Sequence, residues 1–146
     1  MVDMTLALLR AELDNDPKTL GYAALWAQSN GPEAVAAKLN QAGASVETLF
    51  KTRVPTDEAK ACIVLAEYTA LSAASKQACD FFLSGTAFIL SGSTNMRATI
   101  AGLFAAGATR TALIAIASRS AARAEILWGE GFRVTDVNVA DAKALP

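Results

Sequence analysis

The densest source of polar chemistry in this chain is a run of five arginines, Arg97, Arg110, Arg119, Arg123 and Arg133. Arginine carries a fork of donors that fits carboxylates and phosphates, and it is favoured at interfaces. The two cysteines, Cys62 and Cys79, form no CxxC pair and lie within helical patterns. They read as buried free thiols, with an internal bridge or a cross-link to a neighbouring chain as open alternatives. Asp57-Glu58 opens a helical pattern, where acids complement the helix dipole. Asp14-Asn15-Asp16 resembles the first half of a calcium loop, but Lys18 and Tyr22 occupy the turn region and no closing glutamate follows. It reads as a turn between helices.

The chain has no histidine, which excludes Ser-His-Asp and Cys-His sites and histidine-ligated metals within it. No GxxxxGK[ST] loop, GxGxxG turn or GxSxG elbow occurs. The expectation is a protein without cofactor or metal that is not an enzyme.

A net charge of −1 gives no general attraction to nucleic acid or to an acidic membrane. The opening MVDMTLALLRAELD is too acidic and too interrupted for a signal peptide. The charge-free run from Phe81 to Met96 is broken by glycines, and Arg110 interrupts the apolar stretch 98–117. A soluble protein with no membrane partner is expected. Hydrophobic residues make up 53% and charged residues 18%, and much of the apolar share is alanine, which packs closely but buries little area. A thin core and some leftover apolar surface follow.

The elements that must position these residues are mostly helical. The fold expected is all-α, a compact bundle of about six to eight short helices in one domain over 1–146, with an extended arm or short strand near 46–54. The first helix runs from Met4 to Asp14 with Thr5 as cap, and Pro17 stops it. Tyr22 and Trp26 plug the gap between the first and third helices or, on the alternative reading, anchor a partner. Gly31-Pro32-Glu33 starts the third helix. Val46, Thr48, Phe50, Thr52 and Val54 alternate with Glu47, Leu49, Lys51 and Arg53, which suggests an extended arm or short strand that is either a lid or a partner for another subunit. Thr56 and Ser72 begin further helices, the second ending at Gly85, and Phe81, Phe82, Phe88, Ile89 and Leu90 are expected in the middle of the core. The stretch from Asn95 to Gly131 carries the longest helical patterning and reads as the core-forming element. Thr109 caps one of its helices, Ser118 or Ser120 caps the next, and Thr135-Asp136 begins a last one.

Ala105-Ala106-Gly107-Ala108 makes a tight turn between two helices, so a helix-turn-helix is the alternative functional reading. Thr109 to Arg123 would then face nucleic acid in a regulator or DNA-packaging accessory. The apolar Leu113, Ile114 and Ile116 leave few polar positions for base edges.

Two blocks carry a resemblance. The first comprises Leu9, Glu12, Leu13, Asp16, Pro17, Gly21, Tyr22, Ala23, Leu39 and Asn40. The second includes Asn95, Arg97, Leu103, Phe104, Gly107, Thr109, Arg110, Ser118, Arg119, Arg123, Glu125, Trp128, Gly129 and Gly131. Together they resemble small helical proteins of tailed bacteriophages and prophages, over both ends of the chain but not its middle third. The resemblance implies a virion or assembly protein, made in the bacterial host cytoplasm, in the neck, tail or capsid. Its partners would be copies of itself and other phage structural proteins, and nucleic acid is not expected among them. Phe50 and Arg53 on the arm, with Arg110, Arg119, Arg123 and Trp128 at the helical end, are the expected partner-facing residues.

Overall fold

The computed structural model describes residues 5–84 and 87–146. In chain order the elements are α1 (Leu6–Asn15), α2 (Tyr22–Trp26), α3 (Gly31–Leu39), β1 (Thr48–Phe50), β2 (Val54–Pro55), α4 (Thr56–Ala61), α5 (Leu65–Thr69), α6 (Ala73–Leu83), β3 (Phe88–Ile89), α7 (Thr94–Leu103), α8 (Ala108–Ala117), β4 (Ser118–Ser120), α9 (Arg123–Trp128) and α10 (Asp136–Ala144). The chain is mostly helical but not strictly all-α: ten helices are present among the described residues, more than expected, and β1 pairs with β4 while β2 pairs with β3. Met4 and the helix stop expected at Gly85 lie outside the described residues.

The chain forms two compact units. Unit 1 comprises Met1–Leu49 with Ser120–Pro146, and unit 2 is the intervening Phe50–Arg119.

Unit 1 is built on capped helices. The Thr5 hydroxyl accepts from the Leu8 N–H at 3.3 Å and opens α1. Asp16 ends it in the left-handed region at φ +38°, and its carboxylate accepts from Leu20 and Gly21 N–H, each at 2.7 Å. The acid in the Asp-Asn-Asp turn therefore organises backbone, as an Asx-type turn does. Arg10 donates to the Lys143 and Leu145 carbonyls at 3.0 and 2.9 Å, satisfying groups that the end of α10 leaves open. The Asn40 amide grips Val134 from both sides, donating to its carbonyl at 2.7 Å and accepting from its N–H at 2.9 Å. Thr135 caps α10 as expected. Inside, Leu9, Leu13, Tyr22, Val35, Leu39, Trp128 and Val139 form one buried cluster.

That cluster corrects the expected centre of the core. Of the stretch from Asn95 to Gly131, only Ala124 and Trp128 belong to it. The helical periodicity of α7 and α8 was real, but periodicity marks a face without saying how deeply that face is buried.

In unit 2, β2 and β3 pair antiparallel with Val54 opposite Ile89 and Pro55 opposite Phe88. The strands of the arm, read as a lid or as a partner for another subunit, pair within this chain. α6 packs on α4 and α7, and α8 packs on α4. Ser72 and Ser93 cap α6 and α7 through the N–H groups of Ser75 and Met96. Of the five residues expected in mid-core, Ile89 alone is buried, Phe82 is half-buried, and Phe81, Phe88 and Leu90 are exposed.

Candidate functional site

Unit 2 carries an apolar cavity of about 200 Å³ walled by Phe50, Val54, Ile89, Ile100, Leu113 and Ile114. Each wall follows from local structure. β1 delivers Phe50, the β2–β3 pairing sets Val54 beside Ile89, and the helical repeat places Leu113 and Ile114 on one side of α8. Two cations share this lining, Arg97 and Arg110, and among the described residues no acid does. The Arg97 guanidinium lies 4.3 Å from the Phe50 ring centroid and donates to the Ser91 and Gly92 carbonyls at 2.8 and 2.9 Å. Stacking on the ring face favours the cation while leaving it without a counter-charge. Neither arginine meets a carboxylate among the described residues. Beside them, Arg53 stacks over Phe88 at 4.6 Å.

Of the expected partner-facing residues, Phe50 and Arg110 therefore meet at one cavity, and Arg53 is exposed in the same unit. Arg119 is half-buried within β4. Arg123 and Trp128 lie inside unit 1, so their expected exposure to a neighbour is corrected. Arg97 lies near the start of α7, which Ser93 caps. The ring beneath it, Phe50, is too distant in sequence to foresee.

Arg123 is occupied by an ionic network. Nε and Nη2 donate to the two Glu12 carboxylate oxygens at 2.9 and 3.0 Å, and Nη1 reaches Glu47 at 3.0 Å. Lys18 also pairs with Glu47, and the Tyr22 hydroxyl donates to Glu12 at 3.3 Å. The Glu12 bonds hold Arg123 protonated well above its ordinary value. Burial, with Glu12 beside it, raises the Tyr22 hydroxyl so that it stays neutral. Glu47 is pushed up by partial burial, but hydrogen bonds from Lys18 and Arg123 outweigh this and leave it below the ordinary 4.5. A lowered carboxylate value contributes stability that is present above 4.5 and is lost as pH falls through the folded value. The urea midpoint should fall on acidification below that point, and Glu47→Gln should flatten this acid limb; an identical limb in both proteins would contradict the role.

The start of α8 is closed in a different way. Thr109 is fully buried, and its hydroxyl accepts from the Val64 N–H at 2.9 Å instead of capping its own helix. Gly107 is the N-cap, and the Glu67 carboxylate from α5 accepts from Ala108 and Thr109 N–H at 2.8 and 2.9 Å. A β-carbon at Gly107 would come within 2.7 Å of that carboxylate, so glycine permits its approach. Hydrogen bonds from Thr109, first its side chain and then its backbone, keep the Glu67 carboxyl below its ordinary value. Where a helix-turn-helix would receive a phosphate, this unit places a carboxylate. Thr109→Val should strip the Val64 N–H of its partner and lower stability by about 1–3 kcal/mol in urea unfolding. Unchanged stability would show that the bond does not matter.

Both thiols are free, Cys79 buried and Cys62 half-buried, and burial raises them above the ordinary thiol value, which disfavours the nucleophilic thiolate. Among the described residues no group of three or more Cys, Asp or Glu side chains is placed to hold a metal. Nor is any helix among them long and apolar enough to cross a membrane. Comparison with family models, curated proteins and solved structures finds no match to this chain.

Proposed function

We propose that this chain is a non-enzymatic structural subunit of a tailed-phage particle, in the neck or head–tail connection, the tail or the capsid. It acts through contacts with copies of itself and with other phage structural proteins, and it resides in the virion after synthesis in the host cytoplasm. The observation that carries this reading is the division of apolar surface. The buried cluster lies in unit 1. Of eleven large hydrophobic residues exposed among the described residues, seven belong to unit 2: Phe50, Val64, Leu65, Phe81, Phe88, Leu90 and Ile114. Apolar surface left in water at this density favours contact with another protein. The resemblance of the chain ends to phage proteins supports the same reading.

Mass spectrometry of purified particles tests it. The chain should be present in fixed ratio to the major structural proteins and should survive a high-salt wash. Synthesis during infection with absence from washed particles would refute it.

A further inference from the structure

Resting on that assembly reading, we infer that the partner seated in the unit 2 cavity is a second copy of this chain, and that the inserted group is Phe81 with Asp80 beside it. Phe81 lies on α6, 75% exposed, and touches Phe82 edge-on at 5.8 Å between ring centroids. It does not line the cavity of its own chain. A cavity of about 150 Å³ walled by aliphatic and aromatic side chains suffices to hold a benzene ring. The volume here, about 200 Å³, therefore accommodates one phenyl group.

Charge selects the occupant. Among the described residues the cavity lining holds Arg97 and Arg110 without an acid, and the residue preceding Phe81 is Asp80. Asp80 accepts from the Tyr68 hydroxyl at 2.9 Å and meets no cation among the described residues. Seating the ring brings that carboxylate, one residue along α6, toward a lining whose two guanidinium groups meet no carboxylate among the described residues. Leu65, 73% exposed, shares a surface depression with Asp80, Tyr68 and Lys60, and among the described residues no ion pair joins Lys60 to Asp80. An aromatic anchor in a pocket, bordered by opposite charges, is the usual arrangement of a strong contact.

The inserted group and the cavity are different surfaces of one subunit. Their contact is head-to-tail, so it propagates into a ring or an open chain instead of stopping at a symmetric dimer.

Sedimentation of the purified full chain, from micromolar to hundreds of micromolar, tests this. The native chain should grow reversibly beyond a dimer. Phe81→Ser, which removes the inserted ring, and Arg110→Glu, which reverses the charge at the cavity, should each weaken association about tenfold or more with unchanged thermal melting. Mixed together, the two variants should form a one-to-one dimer that grows no further, because only one intact ring and one intact cavity remain. Asp80→Lys should also weaken association, and combining it with Arg110→Glu should restore it. A native chain that stays monomeric, one that stops at a dimer, or a Phe81→Ser chain that associates like the native one would overturn the inference. Particle membership is measured separately, so either proposal can fail without the other.

Discussion

Arg123→Met is expected to lower the unfolding free energy of the chain by about 3–5 kcal/mol, the range for removing one partner of a buried ion pair. The Arg123 and Glu12 side chains are only 9% and 4% exposed, and the guanidinium grips both oxygens of Glu12 while also reaching Glu47. Removing it leaves the Glu12 carboxylate buried with the Tyr22 hydroxyl, at 3.3 Å, as its remaining side-chain donor among the described residues. Arg123→Lys should not rescue, because an ammonium cannot present the planar fork that serves two carboxylates at once. Glu12→Met combined with Arg123→Met should recover much of the loss, since it removes both charges and fills the space with apolar atoms. Urea unfolding of the two single variants and the double variant closes the cycle. A cost below about 1 kcal/mol for Arg123→Met would place the pair among exposed salt bridges of little weight.

Trp128→Ala should cost about 3–5 kcal/mol, the range for removing a large aromatic from a packed interior. Trp128 is 1% exposed and lies 5.4 Å from the Phe132 ring, at the end of α9. Its indole N–H finds no acceptor among the described residues. Trp128→Phe gives up volume but no such hydrogen bond, so its cost should be clearly smaller. The same pair of variants separates a core residue from a partner anchor. A core Trp128 makes the isolated chain unstable when truncated, whereas an interface anchor would leave the isolated chain unchanged and weaken assembly alone.

What could be read from the sequence was local. Thr5, Ser72 and Thr135 cap the helices they were assigned to, because a cap is decided within three residues of its own position. Thr109 looked the same and is not a cap: Glu67, on another helix, took its place at the start of α8. Ser118 and Ser120 looked like caps and lie in β4, where Lys51 donates to the adjacent Ala117 carbonyl at 2.7 Å. Glu12 and Arg123 stand 111 positions apart, and no periodicity relates them. The arginines of the candidate surface were visible as residue types. Their division between the interior of unit 1 and the cavity of unit 2 depends on which helix reaches which neighbour, and that is settled by packing. Phe81 was assigned to the core because it is large and apolar, yet composition cannot say which side of a helix faces water.

Hydrogen exchange on the chain within purified particles, compared with the free chain, measures the central claim directly. Assembly through the apolar face of unit 2 predicts added protection in α6 and in the segments carrying Phe50, Arg97 and Arg110. Unit 1, already closed around Trp128, Leu9 and Leu39, should exchange at the same rate in both states. Protection gained in unit 1 alone, or none gained in unit 2, would contradict the account.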